Sequence, residues 1–210
     1  SSTSSLEANT YTLNVKAAND AAALFTGSYS LSKDQTYTAI IWGRQSSLKV
    51  STIGEAENTD DIASGNTRIR MFNATLDSGT VDVYVTTADV NPVDVSPVQS
   101  GLTSGTLAGF RELTAKEYRI RVTGTGDPSD VRLDIPAVTL AAKTYYTLVI
   151  TQAGSGGVLL NATLIAQQGA KTTVKNTNAR VRVAASVGNF GLVSARAGTT
   201  SLVSSWRSPK

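Results

Sequence analysis

The chain contains neither cysteine nor histidine, and only one methionine among its 210 residues. Without cysteine there is no disulfide framework, no thiolate metal site and no thiol nucleophile. Without histidine the commonest general base is missing, so nucleophilic catalysis would have to run through a Ser–Lys or Thr–amine scheme. No Gly-x-Ser-x-Gly elbow, no Ser-x-x-Lys element in a helical setting and no glycine-rich phosphate loop ahead of a helix supports one. Charge is also scarce: 17% of residues are charged and the net charge is +3, far below what a nucleic-acid groove concentrates. No apolar run approaches the roughly 20 residues that span a bilayer as a helix. No signal peptide is visible, and Ser1-Ser2-Thr3-Ser4-Ser5 reads as a mature end left after processing. These absences predict a protein that is not an enzyme, with no cofactor, no nucleic-acid partner and no membrane span.

What is present is alternation. Apolar residues make up 40% of the chain, enough to build a core. Arg68-Ile69-Arg70-Met71, Val81-Asp82-Val83-Tyr84-Val85, Tyr118-Arg119-Ile120-Arg121-Val122 and Val131-Arg132-Leu133-Asp134-Ile135 each place apolar and polar residues on opposite faces, as half-buried strands do. Tyr37–Trp42 and Tyr145–Ile150 are more continuously apolar and read as central strands. Gly, Asn, Asp and Pro punctuate the gaps. Helical candidates are few; Asp20–Phe25 is the best, and it is short and uncapped. The pattern predicts an all-β fold with antiparallel pairing.

An internal repeat organises the chain. Asn66-Thr67-Arg68-Ile69-Arg70-Met71 recurs 112 residues on as Asn178-Ala179-Arg180-Val181-Arg182-Val183. Leu6–Val15 recurs as Leu113–Val122, and Leu31–Ile41 as Leu140–Ile150, offsets of 107 and 109. A whole module spans 66–175, with strands at Arg68–Asn73, Val81–Val85, near Leu102–Phe110, Tyr118–Thr123, Val131–Ile135, Tyr145–Thr151 and Val158–Ala166. Residues 1–65 match only its later strands and residues 176–210 only its first ones. The fold class is therefore all-β, tandem immunoglobulin-like antiparallel β-sandwich modules, one complete and one split between the two chain ends.

The runs Thr67–Ala74, Val81–Val85, Ala115–Val122 and Leu140–Val149 together resemble the domain of unknown function 4397. That resemblance covers the middle module well and the flanks partially. It implies tandem extracellular β-sandwiches of bacterial surface proteins and transfers no catalytic residue. In the C-terminal copy Ser194 and Arg196 stand where the strand signature has Asp82 and Tyr84.

Few residues invite a site. Glu55, Glu57, Asp60 and Asp61 form one acidic cluster that could hold a hard cation such as calcium, but they lack the spacing and central glycine of an EF-hand loop and read as a solvated linker. The arginines at 68, 70, 119, 121, 132, 180 and 182 sit on polar strand faces whose neighbours carry Asp82 and Asp134, which predicts outward-facing cross-strand pairs. Trp42, Trp206, Tyr145 and Tyr146 could stack on sugars, or simply pack.

The split module leads to the functional expectation. Strands containing Arg180, Val181, Val183, Val193 and Ala195 should pair into the sheets that contain Tyr11, Leu13 and Val15, and complete them. Across chains this gives head-to-tail copies of a structural subunit, a donor-strand fibre on the cell surface or outside the cell. Within one chain it gives a monomeric surface-binding or adhesion module with an unidentified ligand. A fragment of a longer repeat protein is the third reading.

Overall fold

The computed structural model describes residues 5–55, 58–154, 157–167, 169–181, 183 and 192–207, the side chains of 192, 193 and 205–207 excepted. Two compact units result, Ser1–Thr177 and Asn178–Lys210.

The first unit opens with two hairpins, β1 (Thr10–Lys16) with β2 (Ala23–Ser30) and β3 (Tyr37–Arg44) with β4 (Ser47–Gly54). A central sandwich follows, formed by β5 (Asn66–Ala74), β6 (Val81–Thr86), β7 (Gln99–Leu102), β8 (Arg111–Thr114), β9 (Glu117–Gly124), β10 (Asp127–Thr139), β11 (Tyr145–Gln152), β12 (Leu160–Ala166) and β13 (Lys171–Val174). Its sheets run β10-β9-β6-β7 and β13-β12-β11-β5-β8. The described residues form no α-helix, only two three-residue 3-10 turns. The 20–25 segment is not helical: Ala23–Ser30 is strand β2.

The alternation read from sequence sets the core. Ile69, Met71, Val81, Val83, Ile120, Val122, Leu133, Tyr146, Leu148 and Ile150 are all buried, and they come from both sheets. Each such side chain taken out of water stabilises the fold by about 1.5–3 kcal/mol before entropy is charged against it.

Two details differ from expectation. β5 and β11 pair in parallel, from Arg68 opposite Tyr145 to Ala74 opposite Thr151, within otherwise antiparallel sheets. β5 hands the chain to β6 in the facing sheet, so no hairpin obliges its return beside β5 to be antiparallel. The single strand expected near Leu102–Phe110 is instead β7 and β8 in different sheets, joined by an irregular stretch with one bridge, Phe72 to Leu107. Gly101 and Gly105 take left-handed backbone there, φ +61° and +76°, which turns the chain out of the strand.

A second layer covers the outer face of the five-stranded sheet. Trp42 and Ile53, with Ile40, pack on Phe72, Ala74, Val149 and Ile165. The Trp42 and Phe72 rings meet edge to face, centroids 5.9 Å apart, a favoured quadrupole geometry. This layer buries Arg70, which was expected to face outward. Arg70 donates to Thr147 Oγ1 at 3.1 Å and to Gly54 O at 2.8 Å, and lies 4.4 Å over the Phe110 ring. Arg121, also expected outside, is buried beneath the loop after β6, where it donates to Val90 O at 2.6 Å.

In the second unit β14 (Leu192–Ala197) pairs antiparallel with β15 (Thr200–Arg207). The strand expected over Ala179–Ala185 is absent at Ala179–Val181 and Val183, and 182, 184 and 185 lie outside the described residues. Extended backbone becomes strand only through ladder bonds to a neighbour.

Candidate functional site

The two N-terminal hairpins follow the pairing of the second half of the central sandwich, apart from a shift between Ile135 and Val138 that β1–β2 lacks. β1 pairs with β2 through Lys16–Ala23, Val15–Phe25 and Leu13–Gly27, skipping Leu24 at a bulge. β9 pairs with β10 through Thr123–Val131, Val122–Leu133 and Ile120–Ile135, skipping Arg132 at the same place. β3 and β4 repeat β11 and β12 without slip from Tyr37–Gly54, matching Tyr146–Ala166, through Gly43–Leu48, matching Gln152–Leu160. Side-chain bonds repeat too. Tyr11 Oη donates to Glu7 O as Tyr118 Oη does to Thr114 O, at 2.9 and 2.8 Å. Ser32 N donates to Tyr37 Oη as Ala141 N does to Tyr146 Oη, at 3.3 and 3.1 Å.

The C-terminal hairpin follows the β6–β7 pair of the first half. Val193 faces Trp206 and Ala195 faces Val203 across an irregularity, as Val81 faces Leu102 and Val83 faces Gln99 across another. Sequence comparison found Val193 as the counterpart of Val81 but could not fix the β15 register, because the loop between β6 and β7 is replaced by a tight turn.

Two edges distinguish the hairpins from what they copy. β9 is flanked by β10 and β6, and β11 by β12 and β5, whereas among the described residues β1 pairs only with β2 and β3 only with β4. The faces that should form a core are correspondingly open. Tyr11, Leu13 and Val15 are half-buried where Tyr118, Ile120 and Val122 are buried. Ile41 is 54% exposed where its counterpart Ile150 is 0%. Aromatic rings partly compensate: Phe25 and Tyr29 fold over Gly27, the position equivalent to Ile135. Tyr29 Oη donates across to Val50 O at 3.2 Å, linking the two hairpins. Of the candidate assembly residues, Val181 is 61% exposed and Val183 37%; Arg180 is exposed, Ala195 is half-buried and the Val193 side chain is outside the described residues.

Arg119 and Arg68 make cross-strand pairs of the kind expected, whereas Asp82 and Arg132 do not. Arg119 makes a bidentate pair with Asp134, Nε to Oδ1 at 2.8 Å, and this hydrogen bonding holds the Asp134 carboxyl below its usual range. Asp82 pairs with no arginine. Its two oxygens accept from Gly101 N at 2.8 Å and Gly126 N at 2.9 Å, tying the turns at two strand ends. Arg68 pairs with Glu112 at 2.9 Å and donates to Asp61 O. Arg132 pairs with Asp130 at 2.7 Å. Burial lowers the Arg121 pKa, and neighbouring Arg119 adds to the effect.

The acidic cluster is not gathered into a cage. Glu55 is buried and accepts from Thr38 Oγ1, Asp60 and Asp61 are exposed in a 3-10 turn, and Glu57 lies outside the described residues. Among the described residues no three His, Cys, Asp or Glu side chains converge on a point. The segment is exposed at 58–61 and 63–65, as a solvated linker is, but is tied to the sandwich at a few points. Tyr145 Oη donates to Asn58 O, Lys143 Nζ to Ile62 O, and Ile62 is buried. Trp42, Tyr145 and Tyr146 are buried and present no stacking face; the Trp206 side chain is outside the described residues.

A cleft of about 530 Å³ lies beside the β3–β4 turn, lined by Trp42, Arg44, Leu76, Asp77, Thr151 and Gln152 among others. Its charges, Arg44 and Asp77, pair with each other at 2.6 Å, so it offers no nucleophile with an adjacent base.

The class is thus an all-β protein whose four- and five-stranded sheets enclose one core. Residues 1–84 match the family model described as Domain of unknown function (DUF4397), the family that the sequence resembles. The matched stretch runs from the hairpins into β6. Among solved structures the chain is similar to the C-terminal domain of AlgF from P. aeruginosa, with 20% identity over 49% of this chain and 98% of that one, at a TM-score of 0.35. No curated protein matches the chain.

Proposed function

We propose that this chain is an exported structural subunit, built of tandem immunoglobulin-like modules, that assembles head to tail with copies of itself by strand complementation at the cell surface. The observation that carries this reading is the half-module. β1–β4 repeat most of the β9–β12 register, yet among the described residues they keep two edges without a ladder and a core face left partly in water. Unmade backbone bonds at a covered edge cost about 1–3 kcal/mol each, so an edge that adds strands gains both hydrogen bonds and apolar burial. β14 and β15 pair as β6 and β7 do, two of the strands that the half-module lacks. A contact between unlike ends does not close, and it propagates into a filament. Chemistry plays no part in this role.

Native mass measurement and negative-stain imaging of the full chain, beside a chain ending at Thr177, test it. The full chain should form multimers that grow with concentration, and the shortened chain should stay monomeric with the central sandwich folded. A compact monomer of the full chain with its own ends paired would overturn the filament reading and assign the protein to surface binding or adhesion.

A further inference from the structure

Resting on the assembly reading, we infer the strand order and register of the completed module. β14 of one copy adds antiparallel to β1 of the next, while Val181 and Val183 of the same donor add in parallel to β3.

The template is the central sandwich. There β6 meets β9 with Val83 opposite Val122 and Val85 opposite Ile120, and β5 meets β11 with Ile69 opposite Tyr146 and Met71 opposite Leu148. Carried to the equivalent positions, these registers put Ala195 opposite Val15 and Ala197 opposite Leu13 in one sheet. In the other they put Val181 opposite Tyr37 and Val183 opposite Ala39. The first sheet then reads β2-β1-β14-β15, the order of β10-β9-β6-β7.

Two independent features support this register over a slipped one. The bulge at Lys16/Val15 and the irregularity at Val193/Ala195 stand where their counterparts do, and bulges set the local twist that neighbouring strands must share. A one-residue slip would also turn every apolar side chain to the wrong face. Second, Ile41 and Val181, 54% and 61% exposed, would both turn into the joined core. Side-chain size gives the joint its character. Ala195, Ala197 and Ala39 stand where the central core has Val83, Val85 and Leu148, so the joint buries less apolar surface and releases at lower denaturant than the sandwich unfolds.

A chain without cysteine allows a clean test by paired cysteines in the full-length protein. Asn14→Cys with Arg196→Cys joins positions equivalent to Arg121 and Tyr84, which face each other in the template; both residues are exposed, so folding is little disturbed. Val15→Cys with Ala195→Cys is the core-facing pair, and Asn14→Cys with Ser194→Cys is shifted by two residues. After mild oxidation, the two matched pairs should give a reducible ladder of multimers and the shifted pair at least tenfold less. Native multimers with cross-links only from the shifted pair would overturn the register and leave the assembly reading standing. A disulfide within a monomer from the matched pairs would uphold the register and overturn assembly between copies. Monomers with no cross-link from any pair would overturn both.

Discussion

Asp34 and Lys143 hold the same left-handed backbone, φ +59° and +56°, at equivalent positions 109 residues apart in the chain. Each turns the chain just before the central strand of its hairpin, Tyr37–Arg44 or Tyr145–Gln152. A duplicated conformation that costs free energy in both copies is a property of the module rather than an accident of one loop.

That strain gives the first prediction. Asp34→Gly removes a penalty of about 0.5–1 kcal/mol for a side chain in left-handed backbone, and should slow amide exchange across β3 and β4. Lys143→Gly should gain less or destabilise, because the Lys143 amine ties Ile62 O. Hydrogen exchange measured on both variants checks the contrast.

Trp42 is the plug between the first hairpins and the sandwich. Trp42→Ala should cost about 3–5 kcal/mol, as large aromatic truncations in packed sites do. The loss should fall on docking: limited proteolysis should cut within 37–54 while the central core stays protected. Gly105→Ala should mimic it weakly, since the added carbon would sit 3.3 Å from the Trp42 ring on backbone with φ +76°.

Asp82 holds two turns at once, through Gly101 N and Gly126 N. Asp82→Ala leaves both amides without that acceptor and should destabilise the sandwich by about 2–4 kcal/mol. Chemical denaturation with an unchanged slope would register this as lost stability alone.

Acid should weaken the Arg119–Asp134 pair. The bonded guanidinium lowers the Asp134 pKa in the folded protein, so its contribution is fully present above the unfolded carboxylate value of about 3.9. It is lost as pH falls through the lower folded value. Asp134→Asn should therefore lower the melting temperature at pH 7, and should flatten its decline below about pH 4.

The arginines mark where reading by period stops. Alternation correctly put Arg70 and Arg121 on the faces away from the core between the sheets, and wrongly left them in water. Period two says which face a side chain takes. It cannot say whether that face is covered by a distant hairpin or by a loop, and here both faces of β5 are covered. Met71-Phe72-Asn73-Ala74 is buried on both sides, and the polar Asn73 interrupts the apolar run that would mark it. Asn73 is buried with its amide on Leu102 O at 3.0 Å.

The amino-acid sequence by itself determined the strands, the side of each that faces the core, and the repeat that equates Tyr11 with Tyr118 and Tyr37 with Tyr146, because these follow from local steric preference and hydrophobic period. Tertiary structure alone decided the rest. It set β5 parallel to β11, closed Trp42 onto Phe72, gave Asp82 to two glycine amides, and left β1 and β3 each with one ladder among the described residues. Those outcomes depend on which segments, far apart in the chain, meet to bury their surfaces, and no local pattern encodes a neighbour.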